Sequence, residues 1–468
     1  MRRQINAVRY PKDLVIYWIV QGRKPALKEM VNALLVTHVV PYPPSAGNEI
    51  RILKLIAWLR GQGCSVTLLL NVHELPPHVT TALAKCVDRL VLLPATGGGS
   101  GQKPHPVKTN PLIAGLAWRL AAFSRRVEAF PVLRHIIAAY KLRQDKTHHE
   151  PALVRAERGL CPPTLVQTTA SLCNELRPQI VIAEYIFLSA CLDVTPPGTL
   201  KIIDTIDMFS QKKSGVLAHG IDDPLAITPA QERERLLKAD LIIAIQAREA
   251  ELMAQLVPER QVITVGIDFE VTEGSPPEQI VPGRVLVVGS DNPMNLHGLR
   301  SFLADAWPVI RAHCPEATLR IVGKVGKAVE MPLERVELAG WVESLASEYA
   351  AADVVINPTV AGTGLKIKTV EALCHGNAVV AWPNGVDGLA SADPAAFVVA
   401  DDWIAFGEAV TALIRDPFGR ARLQERALRY ARDHFDRDRV YAPLRRALLD
   451  HGLAVSPPST GQDLPQNP

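Results

Sequence analysis

ADVVINPTVAGTGLKIKTVEALCHGNAVVAWPNGVDGL, from Ala352 to Leu389, holds in order an apolar run, a glycine-rich loop, a helical stretch and a second apolar run. Asp353 to Asn357 reads as a buried strand, because Val354, Val355 and Ile356 are β-branched and consecutive. Gly362 and Gly364 let the backbone approach a ligand closely, and Lys366 and Lys368 are placed to neutralise phosphate. The helix predicted from Lys368 to His375 turns its free amides and positive dipole end toward that loop, with Glu371 in its first turns. Asn377 to Trp382 is the next strand. The combination suits a nucleoside diphosphate, although a left-handed surface turn with solvated lysines and a capping glutamate uses the same residue types.

The same alternation of short β-rich runs and longer helical patterns extends from residue 31 onward. It predicts an α/β chain with parallel sheets covered by helices on both faces. The first series of strands is Ala33 to Val40, Cys64 to Leu70, Arg89 to Leu93, Ile180 to Ala183, Leu200 to Asp204 and Asp240 to Ile245. Residues 271–283 are rich in Pro, Gly and Glu without periodicity and read as a linker. A second series follows at Arg284 to Gly289, Thr318 to Gly323, Val336 to Leu338, Asp353 to Asn357, Asn377 to Trp382 and Phe397 to Ala400, with a helix predicted from Asn295 to His313. Two doubly wound, Rossmann-like units in tandem face each other across a cleft, since each puts its ligand loops beyond the carboxyl ends of its strands.

The expected organisation is an N-terminal extension over 1–29, with Met30 as an alternative start, then a first domain over 30–270. The linker 271–283, a second domain over 284–435, a helix over 436–455 that is a candidate for crossing back to the first domain, and a disordered tail over 456–468 complete it. A length of 468 residues is ample for two large cores and excludes a peptide or disulfide mini-domain. The formal charge of +3 gives no global field for nucleic acid, which is excluded as a partner. The seven cysteines are odd in number, lie mostly in apolar runs and include no CxxC pair, as expected in a reducing compartment. No run approaches the ~18 apolar residues of a membrane span. A cytoplasmic protein is expected.

An insert over about 97–170 interrupts the first series. Between residues 97 and 146 it carries nine Lys/Arg against Glu128 and Asp145, hence +7, with an apolar seam at Leu112, Leu116, Leu120, Phe123, Val127 and Phe130. Two readings stand: peripheral contact with an anionic membrane near a lipid-linked acceptor, and plain packing of the seam on the first domain.

GTGLKIKTVEAL, followed by Gly376 and the run Asn384 to Gly388, resembles the donor-site signature of the family-4 retaining glycosyltransferases of the GT-B fold. THVVPYPPSAGNEIR (37–51) is similar to that family's first strand and glycine before helix one, and VLVVGSDNPMNLHGLRSF (285–302) to its second-domain start. The likeness runs over about residues 31 to 435. It implies that Glu371, the second glutamate of an E-x7-E motif, hydrogen-bonds the nucleotide ribose, and that Lys366 and Lys368 face the diphosphate. The first glutamate is replaced by Thr363, so sugar contacts fall to that hydroxyl or to loop amides from Gly362 through Gly364 to Leu365. Gly289 and Ser290 are further donor-side residues.

In IIDTIDMFSQKK (202–213), Ile206 stands where relatives carry a histidine. Asp204 and Asp207 remain as candidate catalytic residues, against the plain reading of a capping aspartate. Gly47 puts backbone amides across the cleft from the donor, and Arg51 one turn on reaches toward an acidic group or is a solvated helix charge. The resemblance implies transfer of a sugar from a nucleotide-diphosphate sugar to a glycan or lipid-linked acceptor in bacterial envelope polysaccharide assembly, with no cofactor and no metal. A nucleotide-sugar-binding protein without turnover is the alternative, motivated by Thr363 and Ile206. An epimerase or a phosphorylase lacks its cofactor motif here.

Overall fold

The computed structural model describes residues 30–44, 46–94, 152–212, 225, 227–274, 276–389 and 396–455. The extension 1–29, the basic stretch 97–146 and the tail 456–468 lie outside the described residues. Both sheets belong to one compact unit, residues 16–93 and 157–468. Of a second unit, 1–15 and 94–156, the described residues are Pro94 and the first turn of the helix Ala152–Leu160.

In the first sheet, β1 (Asn32–Thr37), β2 (Ser65–Leu70), β3 (Arg89–Leu92), β4 (Ile180–Glu184), β5 (Leu200–Asp204), β6 (Leu241–Ala244) and β7 (Gln261–Thr264) take the order β3-β2-β1-β4-β5-β6-β7. The second sheet holds β8 (Arg284–Val288), β9 (Thr318–Val322), β10 (Val336–Gly340), β11 (Val354–Asn357), β12 (Val379–Ala381) and β13 (Val398–Val399) in the order β10-β9-β8-β11-β12-β13. Every pairing is parallel. Central strands such as β4 and β6 are buried at every residue, because helices cover both faces. This is the doubly wound pair that the alternation predicts.

Two local departures have physical causes. β7 is absent from the expected strands: Gln261–Thr264 is a short edge strand, only half buried, and carries little apolar signal. The helix expected from Asn295 to His313 is interrupted. It runs Pro293–Ser301, loosens into a π-helical turn at Phe302–Ala306, and resumes at Trp307–His313. Pro308 has no N–H for the helical ladder, and the wider turn before it accommodates its ring. At the start of this helix Asn292 Oδ1 accepts from the Asn295 amide at 2.8 Å.

The last helix, Arg437–Asp450, buries Val440, Tyr441, Leu444, Ala447 and Leu448 in the core of the first sheet, not the second. Tyr441 stacks on Trp58 with ring centroids 4.8 Å apart and 13° between planes. At its N-terminus Asp436 accepts from the amides of Asp438 and Arg439. Trp58 is 2 % exposed and joins the first helix, Gly47–Gly61, to this closing helix. Trp58→Ala is therefore expected to cost about 3–5 kcal/mol of stability, read from the urea midpoint. A loss under about 1 kcal/mol would mean that the stack carries little of the packing.

Candidate active site

Each sheet reverses its strand order once, between β1 and β4 and between β8 and β11, and loops diverge at such points to leave a crevice. A cavity of about 580 Å³ opens there, lined from both sides. The first lobe contributes Gly47 and Asn48 beyond β1, Tyr185 beyond β4, and Ile206, Asp207 and Lys212 beyond β5. The second contributes Gly289, Ser290 and Asn295 beyond β8, then Asn357 at the end of β11 and Gly362, Thr363, Gly364, Leu365, Lys366 and Lys368 beyond it. Three lysines against one aspartate leave the lining cationic by two charges, a setting that favours an anionic ligand.

The lobes approach closely at the glycine-rich loop. At Gly364, φ is +75° and a Cβ would lie 2.6 Å from Asp207 Oδ1 and 3.0 Å from the Ile206 carbonyl oxygen, so only glycine fits. A Cβ on Gly47 would lie 2.7 Å from Ile367 Cδ1. Thr363 Oγ1 donates to Asp207 Oδ1 at 3.1 Å, and the Gly364 amide donates to Glu249 Oε1 at 2.7 Å. That amide is thus already engaged, which removes one of the loop amides expected to face a sugar. Lys366 Nζ turns back on its own loop and donates to the carbonyls of Gly362, Thr363 and Gly364 at 3.4, 3.0 and 3.1 Å. Burial lowers the pKa of Lys366, against the opposing pull of Asp207, Asp387 and Glu249. Lys368 lines the cavity with Nζ 3.0 Å from Glu371 Oε2, which also accepts from Tyr349 Oη at 3.2 Å. Glu371 itself is nearly buried, stands one turn behind Lys368 and is not among the lining residues.

Asp204 and Arg51 do not face the cavity, contrary to the expectation from sequence. They form a bidentate pair in the interior, Arg51 Nε to Asp204 Oδ2 at 2.8 Å and Nη2 to Oδ1 at 2.7 Å, with the side chains 3 % and 0 % exposed. Arg51 Nη1 also donates to the carbonyls of Val265 and Gly266, where the chain leaves β7 for the second lobe. Burial opposes the charge on Arg51, but Asp204 more than offsets it and the pKa is raised. Glu184 lies beside them, and burial, reinforced by Asp204, pushes its pKa well above the carboxylate range. The pair ties the first helix, the end of β5 and the chain exit together.

Two residues of the cavity wall have unusual backbone. Tyr185 and Ile206 both take left-handed backbone, φ 68° and 59°, which is costly for an aromatic or β-branched residue and concentrates at functional sites. The turn at Ile206 is closed by the Asp207 amide donating to the Thr205 carbonyl at 2.6 Å. His38 packs on Tyr185 at 5.1 Å, and burial lowers its pKa to about 4, so it is neutral at pH 7. Asn48 and Tyr185 could have been found by asking which residues follow β1 and β4, the strands at the reversal point, whereas Lys212 follows β5 within the segment 202–213. Glu249 could not, since its partner is 115 residues away.

Two parallel, doubly wound lobes with a cationic cavity at both reversal points define the GT-B class of fold. Residues 282–416 match the family model for Glycosyl transferases group 1. The match falls on the second lobe, where the donor-site resemblance also lies. A Klebsiella pneumoniae protein described as an uncharacterized 44.6 kDa protein in the cps region is 23% identical over 172 residues, 34% of this chain and 44% of that one. The chain therefore covers less than half of that relative's length. Sucrose-phosphate synthase from Thermosynechococcus elongatus superposes with a TM-score of 0.61 at 16% identity, over 90% of this chain and 100% of that one. Anabaena HepE in complex with UDP-glucose gives 0.59 at 13%, over 90% and 100%. A mutant of S. aureus TarM, solved in complex with UDP, gives 0.59 at 10%, over 90% and 100%. At these identities the likeness is one of fold.

Arg51→Ala separates the two roles for this residue. Losing a partner from a buried pair costs about 3–5 kcal/mol, so the urea midpoint is expected to fall by that amount. A variant with wild-type stability and weakened ligand binding would return Arg51 to the cleft.

Proposed function

We propose that the protein is a glycosyltransferase that moves a sugar from a nucleotide-diphosphate sugar to a hydroxyl of a glycan or lipid-linked acceptor. Within that class the reading is family-4 like, with retention of configuration, at the cytoplasmic side of bacterial envelope polysaccharide assembly. The observation that carries it is the cationic cavity at both reversal points, lined by the loop that matches the family model. The cps-region relative supports the polysaccharide setting. Among the described residues no helix is long and apolar enough to cross a membrane, and peripheral contact through the basic insert belongs to the same proposal.

The chemistry follows from the side chains. The bond from the anomeric carbon to the diphosphate breaks, the acceptor oxygen bonds to that carbon, and the acceptor proton passes to the departing diphosphate. Charge accumulating on the leaving oxygens falls to Lys368 and Lys212 without a metal, in a cleft where low dielectric strengthens the attraction. Lys366 holds the loop, and its ammonium is reachable by phosphate at the expense of its contacts to the loop carbonyls. Asp207 is the carboxylate of the lining and accepts from sugar or acceptor hydroxyls next to Thr363. Glu371 keeps Lys368 oriented, and a ribose contact requires it to extend past that lysine.

A catalytically impaired nucleotide-sugar binder is the second reading, favoured by the apolar Ile206 at the cavity wall. A panel of nucleotide sugars, read by thermal shift and by nucleoside diphosphate release, distinguishes the two. Ligand at 100 times its Kd adds about 2.7 kcal/mol of stability, a shift of several degrees. The expected result is a shift and diphosphate release with one donor; in Lys368→Ala release falls at least tenfold, and a tenfold weaker Kd cuts the shift to about half. A shift without release in the presence of cell-extract acceptors supports the binder, and no shift with any donor contradicts the site.

A further inference from the structure

We propose that Glu249, on the lobe facing the donor loop, is a positioning residue that holds the Gly364 amide, so that the loop takes its binding conformation only when the two lobes meet. The inference rests on the reading of this cavity as a nucleotide-sugar site and adds to it a residue outside the lining. Glu249 sits in the first turn of the helix Ala247–Leu256, which starts beyond β6. It is 4 % exposed. Its Oε1 accepts from the Gly364 amide at 2.7 Å and from Gln246 Nε2 at 3.1 Å, while its Oε2 has no hydrogen-bond partner among the described residues. The same helix start meets the second lobe twice more. A Cβ on Gly388 would lie 2.5 Å from Gln246 Oε1, and Arg248 Nη1 is 3.5 Å from Asp387 Oδ1.

A hydrogen bond from a loop amide to a residue of the other lobe exists only in the apposed arrangement. It therefore couples loop geometry to lobe apposition. Its proton state follows from the surroundings. A carboxylate with one buried oxygen lacking a donor is poorly compensated. Burial and the neighbouring Asp207 outweigh the two hydrogen bonds and Lys366, and the pKa of Glu249 is pushed up to about 7. Asp387 and Lys212 face it indirectly, through Lys366. The neutral acid keeps an acceptor oxygen for the Gly364 amide without burying a charge.

The sign of the pH effect is then fixed. With the lobes apposed Glu249 binds a proton up to about pH 7, whereas an exposed glutamate releases it near 4.5. Apposition takes up a proton between those values and is favoured as pH falls from about 7 toward 5. Donor affinity of the wild type should strengthen roughly tenfold from pH 7.5 to pH 6, a range in which the diphosphate of a nucleotide sugar does not itself titrate. Glu249→Gln keeps an acceptor oxygen and removes the charge.

The test is calorimetric titration with the nucleotide sugar that the panel identifies, on the full chain from pH 5.5 to 8.5, with steady-state kinetics beside it. In Glu249→Gln, Kd and donor KM should be flat with pH and tighter than wild type at pH 8, kcat changing less. Glu249→Ala, lacking the acceptor, should bind weakly at every pH. Equal pH profiles in wild type and Glu249→Gln would overturn the proposal. Should no donor bind at all, the reading of the cavity fails separately, and urea unfolding without ligand still decides the contact. Glu249→Gln is expected to be more stable than wild type at pH 8 and similar at pH 5, and a pH-independent difference would sink it.

Discussion

Between Gly364 and the lobe that faces it there is no room for a methyl group, and the cavity depends on that approach. Two carboxylates of the first lobe, Asp207 and Glu249, reach the loop of the second at Thr363 and Gly364. The loop can come so near because Gly364 takes a positive φ and carries no side chain. The opposing wall is equally constrained, since Tyr185 and Ile206 are held in left-handed backbone by the strands that end just before them. Strained backbone on one side and close approach on the other accompany side chains from five loops around one volume.

A second constraint fixes where the chain passes from lobe to lobe. Arg51 binds Asp204 and the carbonyls of residues 265 and 266, and Asp268 just beyond receives Arg437 at 3.1 Å with Lys54 at 3.7 Å. Residues of the first helix, the connecting segment and the last helix therefore meet in one charged cluster. Such pairs add little net stability over an apolar replacement, whereas removing one partner leaves a buried charge uncompensated. The cluster lies in the first lobe and the last helix packed on it, and it anchors the segment by which the chain leaves for the second lobe.

The parallel sheets were legible because buried strands between helices read as uninterrupted β-branched runs, and twelve of them could be placed that way. β7 escaped, being a four-residue edge with only half-buried side chains. The donor loop was legible because glycines and lysines next to a helix start are few in kind and local in sequence. What sequence could not distinguish was a charge facing a cleft from a charge buried in a pair: Arg51 and Asp204 are 153 residues apart and look like either. Glu249 resembles any polar residue on a surface helix until the second lobe is laid against it. Lys366 was expected to point at phosphate and instead braces the loop that carries it.

In the proposed function, the loop 362–368 and the facing lobe together bind the diphosphate of a nucleotide sugar. A crystal structure of the protein with a bound nucleoside diphosphate tests it most directly. Phosphate oxygens are expected within hydrogen-bond distance (about 3 Å) of Lys368 Nζ, with the Gly364 amide still on Glu249. Density for the nucleotide outside this cavity, or phosphates that touch neither Lys368 nor Lys212, would contradict it.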